Sequence, residues 1–238
     1  MVVRAALIGN SEDTDAGLLG HALRERGFAF TEFAREDPGS LGDPAAFDLI
    51  VSMGSSWSAY WEAIARETAA ERAFLLAAHR RGVPVLGVCF GAQQLAMALG
   101  GRVERSERPE IGWHNVTSIP ESAGVSGAEI LAGQWFQWHY DRFSVPSGAV
   151  ALADSPVSPQ AFVAGRSLGL QFHPEVTASI VAHWSRGAGA QELSDAGVDA
   201  GRLLRETGTR MDEVRPRTER LVDWFLEHVA HAEAQENL

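Results

Sequence analysis

The sequence predicts an α/β protein: a mostly parallel sheet with helices on both faces, followed by a helical C-terminal segment. Three observations carry this expectation. Short apolar runs alternate with amphipathic stretches through the first half of the chain, the pattern of repeated strand–helix units. Gly87-Val88-Cys89-Phe90-Gly91 stands where one such run meets the helix after it. No repeat or low-complexity linker interrupts the 238 residues, so one domain is expected over 1–238, with a core of about 1–187 and a helical extension of about 188–238.

Taken in order, residues 2–8 form a continuous apolar run and read as a buried first strand. The polar cluster 10–15 precedes a helix over 16–26 that Gly27 closes, and Ser11, Asp13 or Asp15 would serve as its N-cap and first-turn acids. Strands follow at 28–33 and 47–52, separated by a loop that Pro38, Gly39, Gly42 and Pro44 punctuate. Residues 61–81 carry Ile64, Phe74, Leu75 and Ala78 on one side and predict a long helix ended by Gly82. A buried strand at 83–88 and a helix at 91–99 complete the first half. Short strands are expected at 111–119, 134–140, 150–153, 161–164 and 167–172, between Pro, Gly and Ser turns. Helices are expected at 177–185, 198–207 and 216–230, with Pro216 in the first turn of the last and Leu221, Trp224, Phe225 and His228 on its apolar face.

Composition removes several classes of function. Hydrophobic residues make up 45 % and charged residues 21 %, enough for a sizeable soluble core. Acids outnumber bases 31 to 20, and a net charge of −11 argues against nucleic acid or an anionic membrane as partner. Every base is arginine, which excludes the P-loop lysine, Schiff-base lysine chemistry and Ser–Lys nucleophiles. A single cysteine forms no internal disulfide, and the histidine spacing suits no metal site. The N-terminal apolar run is too short for a secretory signal and no run approaches a membrane span, so a cytoplasmic protein is expected.

Cys89 has the spacing of a nucleophile in a tight strand-to-helix turn, where glycines two residues to either side let strand and helix approach. Such a residue lies beyond the carboxyl end of a parallel strand, where open α/β sheets bind ligands, and the helix N-terminus favours a thiolate. A thiolate nucleophile needs a base and an orienting group. Gln171-Phe172-His173-Pro174-Glu175 supplies both at the end of an expected strand, since residues i and i+2 point to one side and Pro174 restricts the backbone between them. His139, in Trp135-Phe136-Gln137-Trp138-His139-Tyr140-Asp141, is the rival base, but its aromatic neighbours suit a residue that lines the site. The oxyanion hole is expected from the N–H of Phe90 and a second donor in the turn Met53-Gly54-Ser55-Ser56, with Trp57, Tyr60 and Trp61 near the substrate mouth.

Pro84-Val85-Leu86-Gly87-Val88-Cys89-Phe90-Gly91-Ala92-Gln93-Gln94-Leu95, the following Leu99-Gly100-Gly101, and Gly169-Leu170-Gln171-Phe172-His173-Pro174-Glu175-Val176 resemble the class I glutamine amidotransferases, in particular a stand-alone domain of the kind found in GMP synthase. The resemblance runs from about Phe47 to Val176. It implies a flavodoxin-like three-layer αβα sandwich and a Cys89–His173–Glu175 triad that hydrolyses the side-chain amide of glutamine without a cofactor or metal. Gly54 and Phe90 match the oxyanion positions, and Gln93 matches a position that contacts glutamine. Trp138-His139-Tyr140-Asp141 stands where many members carry Ser-His-x-Asp, a segment that helps hold the amino-acid end of the substrate. Trp138 and His139 are therefore expected at the substrate, with Trp138 in place of serine.

Three functions follow from this pattern. The first is a glutaminase of amidotransferase type that passes ammonia to a separate synthetase, motivated by the Cys89 turn and the His173-Pro174-Glu175 triplet together. The second is a stand-alone γ-glutamyl peptidase, whose leaving amine is larger than ammonia; the absence of a Ser-Gly-Gly-x-Asp-Ser pyrophosphatase loop and the presence of Trp138 motivate it. The third is a non-catalytic regulatory or binding protein on the same fold.

Overall fold

The structure is a computed structural model and describes residues 3–119 and 125–231. Val2, at the start of the expected first strand, and 232–238, at the end of the expected extension, fall outside them. Strand β1 (Val3–Gly9) shows how the first half is built. Its Ala5 and Leu7 join one apolar cluster and Ala6 and Ile8 another. Alternate residues of a strand face opposite ways, so an unbroken apolar run marks a strand covered on both sides. Helix α1 (Gly17–Glu25) covers the first face with Leu19 and Leu23. Helices α2 (Ala65–Arg80) and α3 (Phe90–Ala98) cover the second with Phe74, Leu75, Ala92 and Leu95.

The remaining strands are β2 (Phe28–Ala34), β3 (Leu49–Ser52), β4 (Val85–Val88), β5 (Val103–Ser118), β6 (Gly133–Phe143), β7 (Val150–Asp154), β8 (Pro159–Ala164) and β9 (Ser167–Leu170). They form a nine-stranded sheet in the order β2-β1-β3-β4-β9-β8-β7-β5-β6. Strands β2, β1, β3, β4 and β9 pair in parallel, with Gly87 opposite Ser52 on one side and Gly169 on the other. From β9 outward through β8, β7, β5 and β6 every pairing is antiparallel. The sheet is thus mixed, which corrects the expected mostly parallel one. Only residues 155–158 and 165–166 separate β7, β8 and β9, and connections that short join antiparallel neighbours alone.

Helices α4 (Ala178–Trp184), α5 (Ala188–Asp195) and α6 (Ala200–Trp224) follow the last strand. Ile180, Leu193 and Leu203 from these helices pack on Ile111 and Phe136 of the antiparallel half. The helices expected at 198–207 and 216–230 are one continuous α6, extended by a π-helical turn at Phe225–Ala230, and Pro216 lies inside it rather than at a start. Asp212, one turn earlier and the residue whose carbonyl loses its N–H partner to Pro216, is exposed. Leu221, Trp224 and Phe225 are buried against the α1 side as expected, whereas His228 is exposed. None of the three expected acids and hydroxyls caps α1: its N-cap is Ala16, without a side-chain bond. Asp15 accepts from the N–H of Gly17 instead, at 2.9 Å, and Asp13 is engaged elsewhere. Among the described residues no helix is long and apolar enough to cross a membrane.

Candidate active site

Cys89 sits between β4 and α3 with φ 50° and ψ −107°, the sole non-glycine at positive φ among the described residues. Holding a side chain there costs on the order of 1–3 kcal/mol, and the surrounding backbone imposes it. The Cys89 N–H donates to the Leu170 carbonyl at 2.7 Å, and the Gly91 N–H to the Met53 carbonyl at 3.1 Å. A Cβ on Gly91 would lie 2.0 Å from the Ser52 carbonyl oxygen, and one on Gly87 2.8 Å from the Gly91 backbone. The two glycines of the motif are therefore required by close approach, and the turn they allow lifts the thiol above the sheet.

The His173 segment is held by its backbone on three sides. The His173 N–H donates to the Phe136 carbonyl at 2.8 Å, the Thr218 hydroxyl of α6 donates to the Pro174 carbonyl at 2.8 Å, and the Leu18 N–H of α1 donates to the Glu175 carbonyl at 2.9 Å. Side chains follow the expected i, i+2 alignment: Nδ1 of His173 lies 2.7 Å from Oε1 of Glu175, both buried. Nε2 of His173 is buried without a protein hydrogen-bond partner. Burial works against a charged imidazole here, but the Glu175 carboxylate and the Cys89 sulfur outweigh it and hold His173 well above the ordinary histidine value of 6.5.

Gly54 borders this pair. A Cβ on it would lie 3.1 Å from Cε1 of His173 and 3.7 Å from Cβ of Cys89. Phe90 opens α3, so its N–H belongs to the unpaired first turn. The pocket beside Cys89 encloses ≈ 70 Å³ and is lined by Ser55, Ser56, Trp57, Ser58, Phe90 and Gln93, together with Trp138, His139, Tyr140, Asp141 and Glu192. Gln93 donates to the Asp141 carbonyl at 3.2 Å and to Oε1 of Gln171 at 3.4 Å. His139 is a brace: Nδ1 lies 3.0 Å from the Asp141 carbonyl and Nε2 3.2 Å from the Glu110 carboxylate. Burial alone would raise Glu110, but the hydrogen bond and charge of His139 and the Ser155 hydroxyl hold it below its ordinary value. The carbonyl of Trp138 is 4.0 Å from the Cys89 sulfur, and its indole N–H donates to Glu192 at 2.6 Å. Tyr60 and Trp61 are exposed, and the Tyr60 hydroxyl donates to Asp141 at 2.9 Å.

Three contributions went unread in the sequence. Gln171 donates to the Cys89 sulfur at 3.6 Å, and its i, i+2 relation to His173 was the available signal. Trp184 packs edge-on against the His173 ring with centroids 4.9 Å apart, and Asp13 accepts its indole N–H at 2.7 Å. Burial pushes the Asp13 carboxyl up, and the Trp184 bond only partly offsets it. Glu192 reaches the pocket from α5. Neither Trp184 nor Glu192 had a local sequence signal, because both belong to the helical segment after the motif.

Comparison with known proteins places the chain in a family. The family model for class-I glutamine amidotransferases matches residues 48–182. GMP synthase [glutamine-hydrolyzing] of Acetivibrio thermocellus is 39 % identical over 98 residues, covering 40 % of this chain and 19 % of that protein. The Salmonella newport protein of the same name is 43 % identical over 108 residues, covering 40 % and 20 %. The match thus spans about a fifth of the length of these curated relatives. Among solved structures, a glutamine amidotransferase from Thermotoga maritima superposes with a TM-score of 0.84 at 28 % identity, covering 98 % of this chain and all of that one. A glutamine amido transferase from Methylobacillus flagellatus gives 0.78 at 25 % identity, covering 99 % and 98 %. With a flavodoxin-like α/β sheet, a cysteine in the strand-to-helix turn and a family match across more than half of its length, the chain belongs to the class-I glutamine amidotransferases.

Proposed function

We propose that this protein hydrolyses the side-chain amide of glutamine through a γ-glutamyl thioester on Cys89 and passes the ammonia to a separate acceptor enzyme. The observation that carries this reading is the buried His173, held by Glu175 through Nδ1 and with Nε2 unengaged beside the Cys89 sulfur. An imidazolium there supplies the counter-charge a thiolate needs. The thiolate attacks the amide carbon, and the N–H groups of Gly54 and Phe90 bind the oxyanion that forms. His173 gives its proton to the departing nitrogen as the C–N bond breaks, and ammonia leaves. His173 then takes a proton from water, whose oxygen attacks the thioester, releasing glutamate and restoring the Cys89 thiolate beside protonated His173.

The substrate's amino-acid end faces the rest of the pocket. Asp141 and Glu192 line it and no arginine does, which suits the α-ammonium, while Ser55, Ser56 and Ser58 offer hydroxyls and backbone to the carboxylate. The relatives named GMP synthase hydrolyse glutamine in a longer chain, which supports a synthetase-type acceptor for this one.

The test is glutamate release from L-glutamine by the purified protein, beside Cys89→Ala and beside a γ-glutamyl dipeptide. Release that Cys89→Ala loses, with glutamine preferred, is the expected result. A strong preference for the dipeptide would make the protein a γ-glutamyl peptidase, and full activity of Cys89→Ala would sink the nucleophile assignment.

A further inference from the structure

We propose that Arg35 is a positioning residue of the oxyanion hole: its buried guanidinium fixes the Met53–Gly54 peptide so that the Gly54 N–H faces the substrate carbonyl on Cys89. The inference deepens the hydrolase reading and rests on it. Arg35 directly follows β2, is 2 % exposed, and lies far in sequence from every residue of the Cys89 and His173 motifs.

Its donors are fully employed. Nε and Nη2 take the two oxygens of Glu71 on α2 at 2.7 and 3.3 Å, and Glu71 also accepts from Ser52 Oγ at 2.6 Å. Nη1 takes Oδ1 of Asn10 at 2.6 Å. The remaining contacts go to backbone beside the nucleophile: Nη2 to the Met53 carbonyl at 3.0 Å and Nη1 to the Gly54 carbonyl at 3.4 Å. The Met53 carbonyl also accepts from the Gly91 N–H at 3.1 Å, so two donors fix the orientation of that peptide plane. The structure holds no cis peptide among the described residues, and in a trans peptide the N–H points opposite to the C=O. The Gly54 N–H is therefore turned away from Arg35, on a residue whose Cβ position borders Cys89 and His173.

Two further features fit this role. The Arg35 guanidinium lies 4.7 Å from the centroid of the Phe90 ring, so one side chain braces both residues at the oxyanion positions. A hydrogen bond donated to a peptide carbonyl polarises the whole peptide and strengthens its N–H as a donor. Glu71 neutralises the buried charge, and the planar fork reaches Glu71 and Met53 at once, which an ammonium on a flexible stem does not. A buried ion pair with only a structural role would satisfy itself through Glu71 and leave the Met53–Gly54 peptide to other partners.

Arg35→Lys keeps a cation opposite Glu71 but not the fork. The measurements are kcat and KM for L-glutamine and the rate at which chloroacetamide alkylates Cys89, a displacement at saturated carbon that builds no oxyanion. The expected result is a fall in kcat of about 10- to 100-fold, short of the roughly 10²–10³ for outright loss of a donor. KM and the alkylation rate should stay within about twofold, because the oxyanion exists only on the way to the tetrahedral species. Arg35→Met combined with Glu71→Gln leaves no buried charge unpaired, and it should show the same split if the lysine variant does not fold. Retained kcat, or kcat and alkylation falling together, overturns the proposal. Wild-type protein that is alkylated at Cys89 yet cleaves neither glutamine nor a γ-glutamyl amide overturns the hydrolase reading itself and takes this one with it.

Discussion

Among single side chains, Glu175 sets the state of His173 in the proposed mechanism. Replacing it by glutamine keeps the size and a hydrogen-bonding oxygen but removes the charge that opposes burial of the imidazolium. Glu175→Gln should therefore lower His173 from its raised value and cut kcat/KM, by about 10²–10⁴-fold on the scale of a lost orienting carboxylate. A kcat/KM profile against pH checks this, and a limb that does not move would contradict the assigned partner. Glu192→Gln addresses binding instead: KM for glutamine should rise about tenfold with kcat little changed, since an ammonium contact is equal in ground and transition states. Cys89, His173 and Glu175 were legible in the sequence because each lies in a short motif whose spacing has a steric meaning. Arg35, Glu71, Trp184 and Glu192 were not, because their roles arise only where distant segments meet.

At the scale of elements, the site is a crossing point of β4, β9, β6, α1, α3 and α6, and the helices hold it as firmly as the strands. Gly17 opens α1 at φ +46°, and a Cβ there would lie 2.0 Å from the Glu175 carbonyl oxygen. Gly17→Ala should destabilise by more than the ~1 kcal/mol of an ordinary substitution and displace Glu175, so denaturant midpoint and turnover fall together. Thr218→Val leaves the Pro174 carbonyl buried without its donor, a loss of about 1–3 kcal/mol by urea unfolding. A midpoint within error of wild type would show that the α6 contact does not hold the segment. The parallel half of the sheet was readable because apolar runs and glycine stops coincide there. The antiparallel half was misjudged because residues 103–110 carry charges on an irregular strand with a register shift between Arg105 and Glu110. Pro216 misled for a related reason: a proline signals a helix start only where no solvent-facing turn can absorb it.

For the whole molecule, the coupled groups make stability depend on pH in a defined sense. His173 is raised in the folded state, so its contribution is fully present below its ordinary value of 6.5 and is lost as pH rises through the higher folded value. Glu110 is lowered, so its contribution is present above its ordinary 4.5 and is lost as pH falls through the lower folded value. Urea unfolding across pH should show the stability advantage of wild type over His173→Gln shrinking above pH 6.5, and an advantage that grows there would reverse the assigned sign. The central claim is that Cys89 receives the γ-glutamyl group. It is tested most directly by incubating the protein with a γ-glutamyl chloroketone and mapping the modified peptide while glutamate release is followed. One label per chain on Cys89, formed more slowly in the presence of glutamine and matched by loss of glutamate release, is the predicted result. Full labelling of Cys89 that leaves glutamate release intact would contradict it.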